Sequence, residues 1–175
     1  MFKTTSILLS LLICSTIAKA QKISPTDLLQ IYKYWNMEGS DYGNSTVTYI
    51  HSIDENWKIR VPPQKDDHSL SLLFGYLKNN SWVHDKECNI MLSFDRSQSY
   101  SKQILYIFND PETWTNYNDQ MVSMNAISIA THVANGGKTS YYQVMDIEIN
   151  LTEFPPGING PDKTYQVQIY HNRIQ

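Results

Sequence analysis

His84, Asp85, Lys86, Glu87 and Cys88 crowd four metal-competent side chains into five residues. An imidazole and a thiolate four positions apart are the beginning of a zinc site, which needs four such ligands around the ion. A zinc site here would still need ligands from elsewhere, and only His51, His68, His132 and His171 are available as further imidazoles. The segment is therefore read as a charged turn between Trp82 and a strand at Ile90. Asp66-Asp67-His68 lacks the alternating oxygen ligands of a calcium loop and is read as a solvated turn. No catalytic, cofactor-binding or metal-ligating residue is assigned.

The spacings that establish an enzyme are also missing. There is no G-x-S-x-G elbow, no H-E-x-x-H pair, no C-x-x-C and no glycine-rich phosphate loop. The first expectation is a non-enzymatic binding or interaction domain with a protein or glycan partner. Two alternatives stay open: a hydrolase of unrecognised type built from scattered groups such as His132 and Asp146, and a secreted inhibitor or immunity-type protein. The excess of aromatics, twelve Tyr and four Trp, suits a binding role because each ring offers a flat apolar face and most a polar edge. Trp35, Trp57, Trp114, Tyr49, Tyr117 and Tyr165 fall at core positions. Tyr42, Trp82, Tyr100, Tyr141 and Tyr142 are not committed to the core.

Residues 1–20, MFKTTSILLSLLICSTIAKA, have the layout of a secretory signal peptide. Lys3 supplies the positive start, Ile7 to Ile13 the apolar core, and Ala18-Lys19-Ala20 a small-x-small cleavage site after Ala20. The apolar run is too short to span a bilayer. The expectation is an exported protein, periplasmic, outer-surface or secreted, with residues 21–175 as a single α+β domain. Loss of Lys3 and Lys19 leaves twelve basic against seventeen acidic residues, a net charge of −5. An acidic chain without a Lys/Arg cluster is a poor partner for nucleic acid or an anionic membrane. Cys14 leaves with the signal, and a lone Cys88 closes no internal disulfide.

The elements that must position these groups carry clear punctuation. Ser24 caps a helix over residues 25–36, Pro25 opens it, Asp27 completes a capping box, and Ile23 with Leu28 forms a hydrophobic staple. Leu28, Ile31, Tyr32 and Trp35 make its apolar stripe. Asp110-Pro111-Glu112 begins a second helix with Trp114, Tyr117, Met121 and Met124 as its stripe. Superposing Ser24-Pro25 on Asp110-Pro111 sets Leu28 on Trp114 and Ile31 on Tyr117. A duplicated helix-then-strands unit and two unrelated helices with common start chemistry both fit.

Strands fill the remainder. Val47, Tyr49 and Ile53 alternate with polar residues, as do Trp57, Ile59 and Val61 before a stop at Pro62-Pro63. Ile90, Leu92 and Phe94 alternate, and Ile104 to Phe108 is apolar on both faces, which predicts a central strand. Residues 70–77 fit either periodicity, and Ser71 and Gly75 tip them towards strand. Ile127, Ile129 and Val133 lead into an Asn135-Gly136 hairpin. The return strand carries Met145, Ile147, Ile149 and Leu151 on one face, with Asp146, Glu148 and Asn150 on the other. Tyr165, Val167 and Ile169 close the chain against outward Gln166 and Gln168. Glu153 to Lys163 is a Pro/Gly-rich loop. The predicted architecture is α+β: an antiparallel sheet with two amphipathic helices packed on one face. Three glycosylation sequons begin at Asn44, Asn79 and Asn150, the last inside a strand.

The signal followed by the Ser24-Pro25 helix, the segment ILYIFNDPETW at 104–114 and the final Y-x-V-x-I strand at 165–169 resemble small exported proteins of Bacteroidetes-type bacteria. That resemblance spans most of the chain after the signal. It implies an extracytoplasmic α+β domain and carries over no catalytic residue.

Overall fold

The computed structural model describes residues 22–37, 44–65, 69–83, 88–95, 102–159 and 161–171. Among them are three helices, α1 (Pro25–Met37), α2 (Asn44–Ile53) and α3 (Pro111–Ser123). Nine strands form one antiparallel sheet: β1 (Trp57–Lys65), β2 (Ser69–Lys78), β3 (Ser81–Trp82), β4 (Cys88–Asp95), β5 (Gln103–Phe108), β6 (Ile127–Ala134), β7 (Gly137–Val144), β8 (Ile147–Phe154) and β9 (Thr164–His171). The signal segment, Tyr42, Asp66–His68, His84–Glu87 and Tyr100 lie outside the described residues.

The strand order is β1-β2-β4-β5-β9-β8-β7-β6, with β3 on the end of β2. Each half is a helical segment followed by a four-strand meander, and the two meanders join through their last strands. In that joint Ile104 pairs with Ile169, Tyr106 with Val167 and Phe108 with Tyr165. The expected central strand, β5, is thus buried between β4 and β9. Both halves thus run from a capped helix into a four-strand meander, with α2 as an addition to the first half.

Both N-caps form. The Ser24 Oγ accepts from the Asp27 amide at 3.1 Å and donates to Asp27 Oδ2 at 2.6 Å. Asp110 does the same work for α3, accepting from the Thr113 amide at 2.6 Å. Burial alone raises the Asp110 carboxyl. Its bonds to Thr113 and Lys22 reverse that and hold it below the usual carboxylate range. At the other end of α1, the buried Lys102 ammonium donates to the Trp35 carbonyl and sits 4.9 Å from the Trp35 ring. A cation there complements the negative helix end.

One alternation of side chains builds the core. Trp57 on β1, Phe74 and Tyr76 on β2, Tyr106 and Phe108 on β5 and Tyr165 on β9 are all buried. Trp57 meets Tyr76 edge-on at 5.4 Å, and Tyr106 stacks on Phe108 at 4.7 Å. The helices reach these same residues. Tyr117 lies 5.7 Å from Phe108, Trp114 stacks on Tyr165 at 4.8 Å, and His51 meets Phe74 edge-on at 6.4 Å. The rings expected in the core are there: Trp35, Trp57, Tyr117 and Tyr165 are buried, with Trp114 and Tyr49 packed at its margin.

Four local expectations are corrected. Val47, Tyr49 and Ile53 lie on α2, not on a strand. Thr46 and Ile50, four apart, are its buried residues, and packing on α1 and β1 outweighs the β-branched composition. The Tyr49 hydroxyl donates to Asp27 Oδ1 at 2.9 Å, tying α2 to the start of α1. Pro62-Pro63 does not stop β1, which is an edge strand broken by two register shifts and so tolerates missing donors. The return strand of the Asn135-Gly136 hairpin is β7, whose polar sequence GKTSYYQV hides its strand character. Met145 is not on the face of Ile147, Ile149 and Leu151. It sits in the β7–β8 turn at φ +54° and is 90% exposed. Asp146 leaves the Glu148–Asn150 face for the same turn. The ambiguous segment 70–77 is strand β2, and Asn135-Gly136 makes its turn with both residues at positive φ.

Candidate functional site

Side chains of a strand alternate between faces, so the residues between the core rings point away from them. Cross-strand pairing lines these up in one row: Val61, Leu73, Met91, Leu105, Gln168, Asn150 and Tyr141. The first four are apolar and the last three polar or aromatic. Leu73, Met91 and Leu105 are half-buried, as are Gln168 and Tyr141. Flanking rows add Ile107 beside Gln166, and Gln103 beside Tyr170 and Glu148.

The polar half is a bonded lattice. Gln168 Nε2 donates to Gln103 Oε1 at 2.9 Å. Asn150 Nδ2 donates to the Tyr170 hydroxyl at 3.3 Å, and that hydroxyl donates to Glu148. Burial, with the Glu148 bond adding to it, raises the Tyr170 phenol to about 12, so it stays a neutral donor. Thr139 and Thr152 bridge β7 and β8 through their hydroxyls at 2.9 Å. A lattice of this kind holds amide and phenol groups in fixed positions before any partner arrives.

At the other end of the face Trp82 lies flat on β2. Gly75 makes this possible, because a Cβ there would stand 3.0 Å from the indole carbons. The Arg60 guanidinium covers the ring at 5.4 Å and donates to the Val83 carbonyl at 3.4 Å. The indole remains 41% exposed. Across the sheet, the Phe154 ring lies over Gly137, where a Cβ would come within 2.7 Å. In the loop that follows, Ile158 packs on Gly136, so the Pro/Gly-rich segment rests on the β6–β7 turn.

Among the described residues, those singled out for chemistry are not assembled into a site. Cys88 is buried in β4. His132 is exposed on β6 opposite Thr139, whereas Asp146 lies 3.4 Å from His171 Nδ1. His132 and Asp146 thus have different neighbours. Among the described residues, no group of three or more His, Cys, Asp or Glu side chains is placed to hold a metal ion. No described helix is long and apolar enough to cross a membrane. The sequon residue Asn150 is 93% buried within the lattice (7% exposed).

Of the uncommitted aromatics, Trp82 and Tyr141 reach this face, while Tyr142 turns to the opposite side and packs against the core. Arg60, Gln103, Glu148 and Tyr170 were not recognised as site residues from the sequence. Their only signal was the period-two alternation that also marked Gln166 and Gln168 as outward.

Fold and face together define an α+β domain with a continuous antiparallel sheet and a half-exposed, mixed apolar and amide-rich face. No family model, no curated protein and no solved structure matches this chain.

Proposed function

We propose that this is a non-enzymatic binding domain working outside the cytoplasm, and that it engages its partner with the sheet face bearing Trp82, Leu105 and Tyr141. In this reading the helices cover only the opposite face. The supporting observation is the composition of the row through Leu73, Met91, Leu105, Gln168 and Tyr141: an apolar stretch, an adjoining bonded amide lattice, and a Trp–Arg pair at the margin. Trp, Tyr and Arg beside an apolar centre are the residues that carry most binding energy in protein interfaces. The apolar stretch favours a protein over a glycan, since sugar hydroxyls gain nothing from Leu and Met side chains.

The test is retention of partners from envelope and culture-medium extracts by the immobilised protein and by Leu105→Glu, with a glycan array run in parallel. A protein retained by the parent and lost by Leu105→Glu supports the reading. A glycan bound with the same dependence keeps the face and changes the partner. Retention of nothing by either probe, or retention that ignores Leu105→Glu, sinks it.

A further inference from the structure

The sheet has two edges, and they are built differently. On β1, Pro62 and Pro63 lack amide donors, Lys58 is exposed, and two register shifts break the edge. These are the devices by which proteins blunt an edge against strand addition. On β6, ISIATHVA, there is no proline and no Asp, Glu, Lys or Arg. Its single register shift, between Ser128 and Ala130, leaves Ala130–Ala134 regularly paired with β7. All eight residues are exposed, including Ile127 at 67%, Ile129 at 50% and Val133 at 71%.

Hairpin geometry says which amides point outward. In a two-residue hairpin the pair flanking the turn, here Ala134 and Gly137, exchanges its hydrogen bonds. The amides of Ala134, His132 and Ala130 therefore face β7. Those of Thr131 and Val133 face away from the sheet.

We infer that β6 is the dimerisation edge of this protein, pairing antiparallel with β6 of a second copy to make one sheet across both. Charge singles out this edge for a second copy. The chain is acidic, with a net charge of −3, so two copies repel over most of their surface, and β6, without Asp, Glu, Lys or Arg, is where they approach without facing like carboxylates. Symmetry adds to this, because an isologous two-fold needs a self-complementary patch. A dyad at Thr131 sets Val133 against Ile129 of the partner subunit, a β-branched cross-strand pair. The fold already joins its two halves in this way through β5 and β9. The inference is independent of the binding face proposed above.

Sedimentation velocity over a concentration series of the purified protein tests it. Thr131→Pro removes an outward amide without touching the β7 ladder, and Val133→Lys adds to β6 the kind of charge that guards β1. A monomer–dimer equilibrium is expected, with each variant weakening dimerisation at least ten-fold at an unchanged circular dichroism spectrum. If Thr131→Pro does not fold, Val133→Lys alone carries the comparison. Hydrogen exchange at Thr131 and Val133 should slow as the dimer forms. A protein monomeric up to several hundred micromolar, or a dimer indifferent to the variants, overturns the inference. So does a monomer whose β6 is occupied by a different chain.

Discussion

The Tyr117 hydroxyl donates to the Ile23 carbonyl at 3.2 Å, fastening α3 to the residue just ahead of α1. From the sheet side, the Tyr106 hydroxyl accepts from the Ile23 amide at 3.3 Å. One peptide segment is thus held from both halves of the molecule, and Ile23 is fully buried. Tyr117→Phe leaves that carbonyl with only Tyr117's vacated space to face, a loss of about 1–3 kcal/mol. Urea unfolding should show the lower midpoint with an unchanged slope, and partner retention should be unaffected.

Asp110 caps α3, and its carboxyl is held below the ordinary value of 3.8. A depressed folded pKa stabilises the fold above the unfolded value, and the gain is lost as pH falls through the folded one. Asp110→Ala should cost about 0.5–2 kcal/mol at pH 7. Asp110→Asn should cost less at pH 7 and should flatten the stability profile below pH 4. Melts of the three proteins between pH 7 and pH 2.5 check both statements.

Burial, reinforced by Lys58, lowers the His51 imidazole from 6.5, and its Nε2 is buried without a hydrogen-bond partner. The folded state therefore holds His51 neutral while the unfolded chain binds a proton near pH 6.5. The stability this represents is complete above pH 6.5 and declines as pH falls from there towards the depressed folded value. His51→Phe keeps an aromatic ring beside Phe74 and removes the titration. Its melting temperature should vary less between pH 7.5 and pH 5 than that of the parent.

The Trp82 ring packs on Arg60 and the bare backbone at Gly75 and is 41% exposed, so its truncation should not unfold the domain. Trp82→Ala is expected to change stability by no more than about 0.5 kcal/mol while weakening partner retention ten-fold or more. Gly75→Val should produce the same loss with the indole intact, because the new side chain lifts the ring off β2. Equal retention by both variants and the parent would exclude Trp82 from the interface.

Much of this fold was legible in local sequence because the signals were local. Ser24-Pro25 and Asp110-Pro111 start helices through bonds to residues three positions on, and Asn135-Gly136 turns the chain because both positions take positive φ. Alternating apolar residues at 90–94 and 165–169, and the run at 104–108 that is apolar on both faces, need only a neighbouring strand of either origin. The apolar stripes of α1 and α3 carried their own evidence of burial.

Three things depended on partners distant in the chain. Residues 44–53 suit a strand by composition, and α2 exists because Thr46 and Ile50 bury against α1 and β1. Strand β7 has almost no apolar pattern and is a strand because β6 and β8 supply its ladder on both sides. The face proposed for binding is the last case. Leu105 and Gln168 are sixty-three residues apart and become neighbours only through the β5–β9 pairing. The sequence by itself determined where α1, α3 and the β6–β7 turn begin, since capping and turn chemistry act within four residues. Only the tertiary structure decided which strands are neighbours, which edge is guarded and which side chains share a face, because those follow from cross-strand register and from what each face is packed against.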